Sequence, residues 1–251
     1  MLRTATGCFS SCSRRSCASA PARRLHGRAL GTPLLDLGRL LGGGSRVRTR
    51  RITRGGRLRH GYDSAVPRTV SGNTVESVKG EAGIYAAQTD GLAVTRNTVT
   101  TTLRLTPTGN CQGIHVQSSP NAVVSRNSLT DIQGDGIGVD SGSTGTLVAD
   151  NTVLTTTGPG INTGVNGATL RGNRITGATG YAVRVGGNAV GTFVQTTTVG
   201  AVTGGASGAA IGVMAGSSGT WLVGNDLTAR GSGTPAITDN GTGTTPVQNT
   251  I

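Results

Sequence analysis

Residues 113–129 read GIHVQSSPNAVVSRNSL, and two short pieces inside this stretch recur along the chain. The second piece, VSRNSL at Val124–Leu129, places an Asn three residues after one aliphatic and two before another. The same arrangement appears as VSGNTV (Val70–Val75), VTRNTV (Val94–Val99), VADNTV (Val148–Val153) and LRGNRI (Leu170–Ile175). It continues as VQTTTV (Val194–Val199), LVGNDL (Leu222–Leu227) and PVQNTI (Pro246–Ile251). The central residue is Asn73, Asn97, Asn127, Asn151, Asn173, Thr197, Asn225 and Asn249, at spacings of 24, 30, 24, 22, 24, 28 and 24. Such a period marks a stack of similar structural units.

The first piece, GIHV, supplies another strand to each unit. Its leading aliphatic recurs as Ile84, Ile114, Ile137, Ile161, Val183, Ile211 and Ile237, and the residue two further on is mostly aliphatic as well. Apolar residues two apart point to one face of an extended strand. Strands this short cannot close a sandwich. Stacked coils can bury them, because each coil pairs with its neighbours and the aliphatics line a continuous interior. The 43 glycines suit the tight corners between strands.

These G-I-x-V and V-x-x-N-x-[VIL] pieces resemble the right-handed parallel β-helix, or pectin-lyase-like, superfamily. The resemblance implies an all-β solenoid of about seven to eight coils over residues 66–251. It also implies that the recurrent asparagines stack as an internal ladder at a tight turn, through Asn73, Asn97, Asn127, Asn151 and Asn173, interrupted at Thr197, and resuming at Asn225 and Asn249. The superfamily includes polysaccharide lyases, glycosidases, epimerases, phage tailspikes, adhesins and copper-delivery accessory proteins, and fold alone does not choose among them.

Composition divides the chain sharply. Residues 1–65 hold 14 arginines, no lysine and two acids, whereas the remainder has nine basic and nine acidic residues. The net charge of +12 is thus a property of the first quarter. That quarter is rich in Gly, Ser and Arg and poor in large apolar residues, so it is expected to be disordered. Its charge does not lie on a folded face, which argues against nucleic acid as a partner. An Arg- and Ser-rich, acid-poor leader fits a transit peptide in composition. The abrupt change near residue 65 fits better with a start assigned too far upstream. Cys8, Cys12 and Cys17 lack the His or Cys partners and spacing of a zinc site. No secretory signal is visible, because Asp36 and Arg39 interrupt the Leu34–Leu41 stretch, and no run approaches a membrane span of ~20 apolar residues. An extracellular or cell-surface location follows from the resemblance alone.

The interval between each Asn anchor and the next G-I strand varies most, so variable loops gather at one corner, where function is usually carried. Alternation on the G-I strands turns Tyr85, His115, Asn162 and Arg184 outward, and two residues further on Gln117 and Asp140. In enzymes of the resembled superfamily this face borders the substrate groove. Asp135, Asp140 and Asp131 are candidate carboxylates for acid–base work, and His115 or Arg184 a candidate base or charge stabiliser. Tyr85, Gln117 and Asn162 are candidate substrate contacts. A lyase of this kind would bring calcium into consideration, and otherwise no cofactor is expected.

Other features weigh against an enzyme. The paired NTD and DD motifs of polygalacturonases and the DPH cluster of epimerases are missing. Aromatic platforms for sugar stacking are sparse, and three His and two Met offer few copper ligands. Thr-x-Thr pairs, which would suit ice binding, are not maintained from coil to coil. The reading that results is a protein that binds or modifies polysaccharide, with a structural or adhesive surface solenoid as the alternative. The sequence stops at Ile251, immediately after the eighth anchor, which suggests a fragment of a longer solenoid and end-to-end self-association through an uncovered coil.

Overall fold

The computed structural model describes residues 69–104, 111–204 and 208–251, together with the backbone of four short upstream strands. Among the described residues every element is a β-strand. They form three stacked parallel sheets, two of nine strands and one of seven, with a further two-stranded pair. The G-I strands build sheet A, the strands entering each Asn anchor build sheet B, and the strands leaving it build sheet C. Each strand pairs with its counterpart one coil before and one coil after, and this is a parallel β-solenoid.

Register follows the repeat residue by residue. In sheet A, Ile84 sits opposite Ile114, Ile114 opposite Ile137, and the series continues through Ile161, Val183 and Ile211 to Ile237. In sheet B, Val70, Val94, Val124, Val148, Leu170, Val194 and Leu222 form the equivalent row. Apart from Ile237, which is half-buried, these aliphatics are fully buried in one core that runs the length of the coils.

The turn between sheets B and C explains the Asn anchor. The residue before each anchor position has a left-handed φ of 48–65°: Gly72, Arg96, Arg126, Asp150, Gly172, Thr196, Gly224 and Gln248. One left-handed residue reverses the chain in minimal length, and the Asn that follows is carried inside. Buried amides must find partners, and these find each other. Asn73 Nδ2 donates to Asn97 Oδ1 at 2.8 Å, Asn97 to Asn127 at 3.0 Å, Asn127 to Asn151 at 2.9 Å and Asn151 to Asn173 at 3.0 Å. Each of these oxygens also accepts from the backbone N–H of the preceding Asn. The other amide hydrogen reaches a backbone carbonyl, as Asn127 Nδ2 does to Val94 O at 2.9 Å. At Thr197 the side-chain ladder stops, although its N–H still donates to Asn225 Oδ1 at 3.0 Å, and Asn225 resumes the ladder to Asn249 at 2.8 Å.

Glycine in the G-I-x-V piece is required by packing. A Cβ on Gly113 would lie 2.4 Å from Leu129 Cδ2, and one on Gly136 would lie 2.6 Å from Val153 Cγ1. These glycines therefore let sheet A close onto the aliphatics of sheet C. A second, shorter ladder of hydroxyls occupies the corner after sheet A. There the N–H of Thr89 donates to Ser119 Oγ at 3.3 Å, and that of Ser119 to Ser143 Oγ at 3.1 Å. Its residue types change between coils, so no single-residue repeat announced it.

Upstream of the first anchor, the backbone segments Leu35–Asp36, Arg46–Arg48, Arg51–Thr53 and Leu58–Gly61 join the three sheets. Val47 pairs with Val70 and Ile52 with Val75, so these two strands take the register of the strands that flank the first Asn anchor. The rest of the expected disordered leader, with Cys8, Cys12 and Cys17, lies outside the described residues. Among the described residues no helix is long and apolar enough to cross a membrane.

Candidate functional site

The outward face of sheet A departs from the regularity beneath it. Tyr85, His115, Gly138, Asn162 and Arg184 form one outward row, each opposite the next in register. Neighbouring rungs lie about 4.8 Å apart, which lets side chains of successive coils touch.

At one end of the row, His115 Nε2 lies 2.7 Å from Asp140 Oδ2, with the His side chain 16% and the Asp side chain 45% exposed. The Tyr85 ring meets the His115 ring edge-on, 5.0 Å between centroids and 78° between planes. The Tyr85 hydroxyl donates to Gln117 Oε1. Four of the residues expected at the site are thus assembled into one cluster across adjacent coils. A carboxylate at Nε2 favours the hydrogen there, leaving the lone pair on Nδ1.

At the other end, Asn162 bridges two charges. Its Nδ2 donates to Asp135 Oδ2 at 2.9 Å, and its Oδ1 accepts from an Arg184 Nη at 3.3 Å. Asp135 is only 8% exposed. A Cβ on Gly158, from the loop of the next coil, would lie 2.6 Å from its other oxygen. Burial pushes the Asp135 carboxyl up from its ordinary value, and the Asp140 charge adds to the rise. Hydrogen bonds from Asn162 and Gln112 and the Arg184 charge oppose it.

Two glycines shape the space between these ends. Gly138 has no side chain because the Gln112 amide lies over it, with Nε2 2.3 Å from where a Cβ would be. Gln112 was not among the expected contacts. Gly113 and Ile114 both face the core, which breaks alternation and turns Gln112 out. Its Oε1 is buried and has no protein partner. Gly164, by contrast, has ordinary φ and open space where a Cβ would stand. It leaves a bare floor beside Asn162 and Arg184.

Asp131 is not brought to this face. It sits on the sheet C strand Ser128–Ile132 with φ 57°, in the left-handed column of Ser77, Thr101 and Thr155. There it lines a hollow with Leu103, Gln133 and Thr157. Among the described residues, no three of His, Cys, Asp and Glu gather as a metal site. The carboxylates of the face are also committed, Asp140 to His115 and Asp135 to Asn162. This donor set does not fit a calcium cage of six to eight oxygens.

Residues 60–227 match the family described as right handed beta helix region, and the chain belongs to that family. Among solved structures it is similar to the periplasmic alginate epimerase AlgG, with a TM-score of 0.60 and 20% identity over 73% of this chain and 46% of that one. It is also similar to the alginate lyase from Paenibacillus sp. str. FPU-7, with a TM-score of 0.54 and 13% identity over 81% of this chain and 91% of that one. The chain spans about half the length of the epimerase. At these identities the likeness is one of fold. No curated protein matches the chain in sequence.

Proposed function

We propose that the outward face of sheet A binds an acidic polysaccharide and modifies it by proton transfer, the chemistry of a uronate lyase or epimerase, at an extracellular or periplasmic location. The observation that carries this reading is the His115–Asp140 pair at 2.7 Å beside the Tyr85 ring. A carboxylate-backed imidazole and an adjacent phenol supply a base and an acid on one side of an open strand face. His115 Nδ1 takes the proton next to the sugar carboxylate, and Tyr85 can return one to the sugar. Gln117, held by the Tyr85 hydroxyl, orients its amide toward the same unit. Arg184 stands three rungs from His115, about 14 Å at the spacing of a parallel sheet. It therefore serves a neighbouring sugar unit, whose carboxylate it pairs over the bare floor at Gly164.

The fold shared with an alginate epimerase and an alginate lyase supports this substrate class. The test is incubation of the full chain with polymannuronate, polyguluronate and polygalacturonate. The readouts are absorbance of unsaturated ends, reducing ends, and solvent hydrogen exchange into the sugar, which reports epimerisation. Exchange or unsaturation that disappears in His115→Gln supports the reading. Binding without either would leave an adhesive solenoid, and neither binding nor turnover of any acidic polymer would overturn the proposal.

A further inference from the structure

We propose that Asp135 is a positioning residue, which fixes the amide of Asn162 so that its oxygen holds the Arg184 guanidinium, and that protonating Asp135 releases that guanidinium. The relay itself stands on geometry alone, while its effect on a ligand rests on the polysaccharide reading above.

An amide can face two ways, and what fixes it is the partner at each end. Ionised Asp135 accepts only, so it takes Asn162 Nδ2 at 2.9 Å and leaves Oδ1 pointing along the row. Oδ1 then meets the Arg184 Nη at 3.3 Å. The three residues lie on consecutive coils, Asn162 directly opposite Arg184 in register and Asp135 just before the preceding strand. A protonated Asp135 becomes a donor. Asn162 can then turn its oxygen toward Asp135, which presents NH2 to a guanidinium that has only donors.

Asp135 is placed for this role and badly placed for contact with substrate. It lies beneath Gly158 and is almost wholly buried, whereas Arg184 is half-exposed beside the open floor at Gly164. The charged groups that act on Asp135 are Asp140, itself paired with His115, and Arg184. Burial raises its carboxyl above the ordinary aspartate value of 3.8, so release accompanies acidification.

The experiment reads Arg184 without any ligand. Its Nε–H resonance in the full chain, assigned with Arg184→Lys, is followed by NMR as pH is lowered. The guanidinium does not titrate itself, so any shift reports its surroundings. The relay requires a shift whose midpoint lies above the ordinary aspartate value of 3.8, and its loss in both Asp135→Asn and Asn162→Leu. Unchanged side-chain amide signals from Asn127 and Asn151 show that the fold is intact, and Asn162→Ser replaces Asn162→Leu if they move. A flat wild-type titration, or a shift that persists without Asn162, overturns the proposal, because a through-space effect of Asp135 or Asp140 needs no amide between. With oligomannuronate as probe, Asp135→Ala should weaken binding about tenfold, near the worth of one charged hydrogen bond, and no further on an Arg184→Gln background. An additive loss in the double variant counts against the relay. A relay seen by NMR in a protein that binds no uronate would leave it standing and sink the functional reading instead.

Discussion

Asn151 and Asn162 lie eleven positions apart, one at the corner between sheets B and C and one on the sheet A strand of the same coil, and both bridge neighbouring coils through their amides. At the corner between sheets B and C, the same bond is made on almost every coil between identical, buried partners. On sheet A, it is made once, between opposite charges, at a half-exposed residue. Repetition with burial is what a scaffold needs, since an amide such as that of Asn127 is satisfied only by groups of the coils above and below. A contact made once and left partly open contributes little to a stack of coils, and its partners are free to do something else.

This contrast predicts which substitutions will separate activity from stability. The largest effect should fall on turnover: His115→Gln or Asp140→Asn should lower proton transfer to a uronate polymer about 100-fold, the usual scale for general acid–base catalysis, while leaving the denaturation midpoint unchanged. Comparable losses of stability in these variants would make the pair another piece of scaffold.

Next comes the ladder. Asn151→Ala strands the N–H and amide donors of Asn127, which both rely on Asn151 Oδ1. It should cost about 3 kcal/mol in chemical denaturation, since each buried unpaired group costs about 1–3 kcal/mol. Asn162→Ala should cost far less, and equal costs would erase the distinction between corner and face.

Gly164→Leu sharpens the contrast from the other side. A Cβ there would have no atom within 4 Å and the φ is ordinary, so unfolding should be unaffected while binding of an acidic oligosaccharide weakens about tenfold. That is the equivalent of one displaced contact of about 1.4 kcal/mol. Unimpaired binding would move the ligand off this floor.

The smallest effect concerns pH. With its carboxyl raised in the folded state, Asp135 binds a proton more readily native than unfolded. Its contribution is therefore fully present below the ordinary aspartate value of 3.8 and is lost as pH rises through the raised folded value. The stability of the wild type relative to Asp135→Asn should fall across that window and be level on either side. A difference that rises with pH would show Asp135 to be stabilised as the anion.

The fold was legible because its determinants recur. Eight anchors in register, each with its aliphatic two residues later, specify both the ladder and the core, and the outward row on sheet A follows from alternation. The placement of candidate site residues was legible only where it depends on that alternation, as for His115, Asp140, Asn162 and Arg184. Asp135 and Asp131 look alike in sequence, yet one is covered by a glycine loop from the next coil and the other stands in a left-handed column of another sheet. Contacts between coils decide this, and no local pattern carries them. Gln112 escaped because Gly113 and Ile114 both turn inward, and the strands around Val47 and Ile52 escaped because the sequence between them, VRTRRI, contains no Asn.

The ladder also has a direction. In each amide-to-amide bond the nitrogen is offered to the coil that follows and the oxygen to the coil before. At the ladder, the top of one Asn-bearing coil therefore matches the bottom of the next, as in a head-to-tail polymer. Lengthening the chain by whole coils demands no new interface, and a duplicated stretch from one Asn to the next would arrive with both of its mating surfaces already made. A duplicated coil would keep the buried ladder and core, and the outer face is where the inserted copy would be free to diverge.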